Sequence, residues 1–399
     1  MNLKVRNILI SGAGVAGPTL AYWLLRRGFT PTIVEQSPSP RAGGYVIDFW
    51  GLGWDVAERM GLTPRLLRDG YRMKELRLVN GAERPIARLD VDVFRAATED
   101  RFTSIHRGDL ATAIYSLIDG KVEIIFGDSI ASIQQDPGGV EVSFQHSASR
   151  RFDLVVGADG LHSNVRALAF GDASRWEQFL GYYAASFSAP GYPIREEGVY
   201  VSYATVGRQI GRYSLRDGRT TFFLVFIAPP GGNGSRIGKS EHKAALQRAF
   251  GQAGWECPAI LDAINASDDL YFDAVSQVHM DQWYSGRVAL LGDACFCPSL
   301  LAGQGSALAM AGAYLLAGEL EAAGGDYIVA LQHYQTRFKP FIDAKLKGAL
   351  RSAGWFAPRT KLGVRMRTQV TRLMNAPLIS TWMVKGLFAD RFDLPAYGN

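Results

Sequence analysis

The residue types best placed to do chemistry cluster first at Gly12, Gly14, Gly17 and Glu35. The apolar run Ile8-Leu9-Ile10 leads into Ser11-Gly12-Ala13-Gly14-Val15-Ala16-Gly17, a G-x-G-x-x-G, and residues 18–27 carry apolar side chains at helical spacing. In such a strand–turn–helix, Gly12 permits the tight turn, Gly14 lets the backbone approach a pyrophosphate, and Gly17 lets the helix pack close to the strand. The helix start, including the backbone at Ala13, Val15 and Ala16, offers unpaired N–H groups and partial positive charge to phosphate. Glu35, followed by Gln36, lies 18 residues past Gly17. That is near the roughly 20 expected of a carboxylate that grips a ribose 2′-OH.

Two more groups stand far along the chain. The run Leu154-Val155-Val156-Gly157-Ala158 ends in Asp159-Gly160, followed by Ser163 and Arg166. The run Val288-Ala289-Leu290-Leu291 ends in Gly292-Asp293-Ala294, and the loop Ala302-Gly303-Gln304-Gly305-Ser306 opens a long apolar helix over 307–320. Backbone N–H groups at that helix start suit an electron-rich ring. Asp48 stands between apolar neighbours. It is either a cap or ion-pair partner, or an acid close to a cofactor ring. Arg107 is either a phosphate or ribityl ligand, or half of a surface ion pair.

The elements that must position these groups fall into two textures. Around the glycine motifs, buried strands alternate with helices. A helix is expected over 54–67, a hairpin pairs 73–79 with 86–93 around Asn80-Gly81, and Asp109 would cap a helix that follows. Segments 122–126, 130–134 and 140–144 are expected to form a small antiparallel set. From 178 to 228 short aromatic and β-branched runs alternate with turns, with strands at 182–188, 199–205, 211–215 and 220–227 and a hairpin at Asp217-Gly218. This is a second, antiparallel platform. Helices follow at 241–250, 257–266, 326–341 and 345–353, and the tail over 361–390 is helical in pattern.

Composition excludes several classes. The chain has 399 residues, 47 % hydrophobic and 20 % charged, with a net charge of +5, which is ordinary for a globular protein. No basic patch interleaved with aromatics points to nucleic acid. The three cysteines, Cys257, Cys295 and Cys297, form no disulfide framework or metal spacing, so a reducing, cytoplasmic setting is expected and metal is not. The segment 300–320 reads as a buried helix and its lead-in loop, not a membrane span.

The three glycine-and-acid motifs, in this order, resemble single-component (group A) FAD-dependent aromatic monooxygenases of the para-hydroxybenzoate hydroxylase fold. Within that family the chain looks most similar to the tetracycline-inactivating branch. The resemblance implies an α/β fold. It would consist of a Rossmann-like, GR2-type FAD-binding domain (1–72, 101–175 and 276–330), an inserted antiparallel-sheet substrate domain (73–100 and 176–275), and a C-terminal helical segment (331–399). It implies that Gly12 to Gly17 cradle the FAD pyrophosphate, and that Glu35 and Gln36 meet the adenosine ribose. Arg41 and Arg107 would contact FAD, and Asp159 would serve both FAD and NADPH. Gly292 and Asp293 would face the ribityl side, Gly303, Gln304, Gly305 and Ser306 the isoalloxazine, and Asp48 the flavin face. It further implies that NADPH or NADH reduces FAD, that O₂ adds at flavin C4a, and that the hydroperoxide hydroxylates an aromatic or polycyclic substrate. Alternatives are a related FAD oxidase, reductase or halogenase, or a non-catalytic flavoprotein. The expected partners are a small aromatic molecule and O₂, with no nucleic acid or membrane, in a monomer or homodimer. The substrate would lie against the sheet, with Tyr182, Phe187, Tyr203, Arg212 and Phe222 as candidate contacts. Two departures stand out. Cys295-Phe296 replaces the family's usual Ala-His, and Gly312 stands where an acid is common.

Overall fold

The computed structural model describes residues 4–40, 44–172, 175–193, 196–216, 218–229, 237–375 and 392–398, without the side chains of 351–353. A six-stranded sheet runs in the order Tyr284–Ser285, Val288–Leu290, Leu154–Gly157, Asn7–Ser11, Thr30–Glu35, Glu123–Phe126. Only the first pair is antiparallel. The central strands are apolar runs buried on both faces, as parallel strands under helices must be. The helices Ala16–Arg26 and Gly305–Ala322 cover this sheet and pack on each other, with Trp23 edge-on to Tyr314. The strand Glu123–Phe126, expected in the small antiparallel set, instead lies parallel to Thr30–Glu35. The remaining set comprises Ile130–Asp136, Gly139–Phe144 and Arg150–Phe152.

A seven-stranded sheet runs in the order Tyr271–Val278, Glu177–Pro190, Arg219–Ile227, Arg208–Ser214, Val199–Thr205, Glu75–Val79, Pro85–Asp90. It is antiparallel except where Val199–Thr205 lies parallel to Glu75–Val79. The two-residue repeat of a strand gives it two distinct faces. On the far face Tyr183, Phe187, Tyr203, Phe222 and Leu224 pack with the helices His242–Phe250 and Cys257–Ala266. On the near face Tyr182, Phe223 and Val225 pack with Leu300, Leu301 and Phe356, and Tyr200 and Tyr213 pack with Trp50 and Phe102. The near face therefore meets the first domain. A two-stranded ribbon, Val46–Trp50 with Phe102–His106, lies in that junction.

Some local expectations shift. The helix over 54–67 divides into Leu52–Arg59 and Thr63–Asp69, because Gly61 adopts φ +71° between them. The helix after the ribbon begins at Arg107, and its cap is the His106 ring, which accepts the Gly108 N–H; Asp109 lies in its first turn. One helix, Tyr327–Phe356, runs through Pro340 where two were expected. Of the tail, Lys361–Leu373 is a helix and 376–391 lie outside the described residues, as does Asp217 of the expected hairpin turn. Among the described residues no helix is long and apolar enough to cross a membrane.

Candidate active site

The glycine loop is shaped by collisions that only glycine avoids. Gly12 sits at φ +106°, and a Cβ there would lie 2.5 Å from the Ala158 carbonyl oxygen. A Cβ on Gly17 would lie 1.9 Å from the carbonyl oxygen of Gly12, with Ile10 next at 3.3 Å. A Cβ on Gly14 would meet nothing within 4 Å, so that side of the loop is open. The helix Ala16–Arg26 has no side-chain cap at Val15 and no acid in its first turn. Its leading N–H groups therefore face the open side without a side-chain acceptor, a donor set that fits a diphosphate. Glu35 is buried, and its carboxylate accepts the Ala13 and Ser37 N–H groups, both at 2.8 Å. This couples the acid directly to the glycine turn. Gln36 is exposed beside it. Arg41 lies outside the described residues.

Asp159 and Arg166 act as rivets between motifs. Asp159 accepts hydrogen bonds from the Ser163 hydroxyl, from the Val165 N–H at 3.0 Å and from the Ser11 hydroxyl at 3.4 Å. Burial pushes its carboxyl above the usual range, and the Ser163 and Val165 bonds oppose that shift. Arg166 is fully buried and donates to the Ala294 carbonyl at 2.9 Å and the Leu161 carbonyl at 2.7 Å. All three motifs converge on one end of the parallel sheet, the end at which open α/β sheets bind ligands.

Next along the cleft, Arg107 and Asp293 act on each other electrostatically. Burial raises the Asp293 carboxyl, with Arg107 and the Cys297 thiol opposing. Burial works to lower the Arg107 pKa, but Tyr45, Asp293 and Tyr271 outweigh it and hold the guanidinium above its usual value. The Asp293 carboxylate lies against the start of the helix Gly305–Ala322, 3.3 Å from where a Gly305 Cβ would stand. That helix also lacks a side-chain cap, and Ser306 is in its first turn. Beside it a narrow pocket is lined by Asp48, Trp50, Leu52, Gly303, Gln304, Ala307 and Leu308. Asp48 is surrounded by protein but solvent-accessible through this pocket, opposite Ser104 in the ribbon, whose hydroxyl donates to it at 2.6 Å. Burial raises its carboxyl and the Ser104 bond opposes.

The wall of this cleft differs from the expected set. Tyr182 is on the near face, where its hydroxyl accepts from Arg359 at 3.2 Å. Phe187, Tyr203 and Phe222 belong to the far-face core, and Phe187 stacks on Phe222 at 4.8 Å. Arg212 shares the side of its cross-strand partners Val201 and Phe222, and it pairs with Glu256 at 3.3 Å over Trp255. Register decides this: Phe223, one residue on from Phe222, points the other way and touches Tyr45 at 5.8 Å. The sequence reading missed Tyr45, Tyr271 and Ser104, which only the junction of the two sheets brings together. It also missed Ser299, a buried residue at φ +88° whose hydroxyl has no partner among the described residues, just ahead of the Gly303 loop. Such strain is kept where the surroundings enforce it.

The family described as FAD binding domain matches residues 6–344. This chain belongs to that family and is an FAD-dependent monooxygenase. A flavin-dependent monooxygenase of Legionella longbeachae is 35 % identical over 349 residues, covering 85 % of this chain and 87 % of that one. The crystal structure of tetracycline destructase Tet(51) superposes with a TM-score of 0.84 at 32 % identity, covering 98 % of this chain and all of that one. HpxO of Klebsiella pneumoniae, solved with FAD and uric acid, shares the fold at a TM-score of 0.78 and 19 % identity, covering 97 % of each chain. Within this monooxygenase the two departures from the family pattern touch each other. Phe296 is buried against Trp283 and Phe338, and a Cβ on Gly312 would lie 3.1 Å from its ring and 2.9 Å from Leu291. An aromatic ring on a glycine thus fills the place of the usual polar residues, away from the pocket lining.

Proposed function

We propose that this monooxygenase hydroxylates an aromatic or polycyclic, polyketide-like molecule, with NADPH or NADH as the source of electrons. Bound FAD supplies the redox chemistry, accepting a hydride, activating O₂ and delivering one oxygen atom. The residues present fit that group. Gly12 to Gly17 would hold its diphosphate and Glu35 its adenosine ribose. Arg107 and Asp293 would flank the ribityl chain, and the loop Gly303-Gln304-Gly305-Ser306 would carry the ring. Asp48, anchored by Ser104, would present a carboxyl to the ring's surroundings. The clusters around Leu301 and Phe102 would keep water from the reacting centre.

The observation that carries the substrate class is the near face, where Tyr200 and Tyr213 pack with the pocket residue Trp50, and Tyr182 and Phe223 with Leu300 and Leu301 just ahead of the Gly303 loop. Flat rings suit such a wall. The likeness to a tetracycline destructase makes tetracycline the first compound to try. The test is NADPH consumption by FAD-loaded protein under isotopically labelled O₂, with tetracycline and a panel of polycyclic phenols. Substrate-stimulated consumption with label in the organic product is expected. Consumption that yields only hydrogen peroxide with every compound would overturn hydroxylation in favour of oxidase chemistry.

A further inference from the structure

Arg367 is a buried charge without a counter-charge among the described residues. It lies on the helix Lys361–Leu373, which packs on Val199–Thr205 and Pro85–Asp90, and it is 6 % exposed. Its Nη2 donates to the Ser202 hydroxyl at 3.2 Å and its Nη1 to the Phe356 carbonyl at 3.1 Å, while Nε has no partner among the described residues. Among the described residues no carboxylate pairs with it, and the ionisable group it faces is Tyr200. Of the other buried arginines, Arg212 pairs with Glu256, Arg27 with Glu321 and Arg95 with Asp92, while Arg166 donates to two carbonyls with the acids Glu177 and Asp159 acting on it electrostatically. Burial lowers the Arg367 pKa to about 10, so it remains a cation at neutral pH. A buried cation held only by neutral acceptors is costly to folding.

Ser202 and Tyr200 are near-face residues, alternating with the far-face side chains Val201 and Tyr203. Phe356, whose carbonyl Arg367 holds, sets its ring edge-on to Phe223 at 6.4 Å, and Phe223 meets Tyr45. Tyr200 lies across Gly211, where a Cβ would overlap its hydroxyl at 1.7 Å, and its phenol feels both Arg367 and the pocket residue Asp48. We infer that Arg367 is a specificity residue of the substrate cleft, its guanidinium receiving an ionised oxygen of the substrate: a carboxylate, phenolate or enolate. A guanidinium with unused donors is well matched to such an oxygen. Arg212, the arginine that the sequence offers for this task, is already paired on the far face. This inference rests on the reading that the near face meets the substrate.

The test uses FAD-loaded protein and two probes of nearly equal shape, 1-naphthoate and 1-naphthamide, with binding read from the flavin absorbance. The wild type is expected to bind the acid at least about tenfold more tightly than the amide. Arg367→Gln, which keeps a donor for Ser202 but no charge, should abolish the preference while changing amide affinity by no more than about twofold. Arg367→Lys should retain part of it. Equal affinities in the wild type, binding of neither probe, or a preference that survives Arg367→Gln would each overturn the inference. Should Arg367→Gln not fold, the wild-type pair and Arg367→Lys still decide, the latter by a preference weaker than wild type or one undiminished. Labelled oxygen in the product is scored separately, so a chain that hydroxylates yet ignores the acid loses only this inference.

Discussion

The glycine cradle and the seven-stranded sheet solve their positioning problems in opposite ways. In the cradle the backbone is the functional group, and side chains are excluded: Gly12 and Gly17 have no room for a Cβ, while Gly14 keeps open space. In the sheet the side chains are the functional groups, and a one-residue step decides whether a ring faces the cleft or the far core, as Phe222 and Phe223 show. The cradle therefore tolerates almost no change at its crowded glycines. The sheet separates stability from specificity by face.

The strongest way to break this contrast is within the cradle. Gly17→Ala should cost about 3 kcal/mol or more and yield protein that retains no FAD, because its Cβ meets backbone that cannot move aside. Gly14→Ala should fold with an unchanged melting temperature and lose FAD affinity alone. Melting curves and the flavin-to-protein absorbance ratio separate the two, and equal destabilisation by both would refute the distinction. On the sheet, Phe222→Ala should cost about 3–5 kcal/mol with little effect on substrate KM. Phe223→Ala should do the reverse, disturbing KM and the coupling of NADPH use to product at small cost in stability. Denaturant midpoints set beside kinetics test this pair.

Smaller effects sharpen the picture. Gly312→Ala should cost about 1–3 kcal/mol by overpacking Phe296 and Leu291, and pairing it with Phe296→Leu should recover much of the loss. Purely additive costs would show that the two sites are independent. The smallest effect is one of pH. Burial holds the Asp48 carboxyl above its usual range, so the folded protein binds that proton more tightly than the unfolded chain. The stability this confers is complete below the ordinary carboxylate range and is lost as pH rises through the raised value. Asp48→Asn should therefore match the wild type in acid and melt slightly higher at neutral pH. A wild type that is the more stable of the two at neutral pH would contradict the sign.

How much was legible in the sequence follows the same division. Backbone requirements write themselves into residue identity, so Gly12, Gly17 and Glu35 and the run that ends at Asp293 could be read directly. The Asp48–Ser104 contact could not, because it depends on pairing between strands more than fifty residues apart in sequence. Nor could the separation of Phe222 from Phe223, since alternation says that they differ and only the helices behind the sheet say which is which. Arg212 and Arg367 are alike as letters. Glu256 beside one, and no paired carboxylate among the described residues beside the other, are properties of the fold.

The most direct test of the account is a crystal structure of the FAD-loaded protein. The account predicts the diphosphate at the Gly12–Gly17 turn, the ring against Gly303 to Ser306 beside Asp48, and the ring's open side toward Tyr182, Tyr200 and Phe223. A ring bound away from the Gly303 loop, or one that faces Phe222 and the helices behind it, would contradict it.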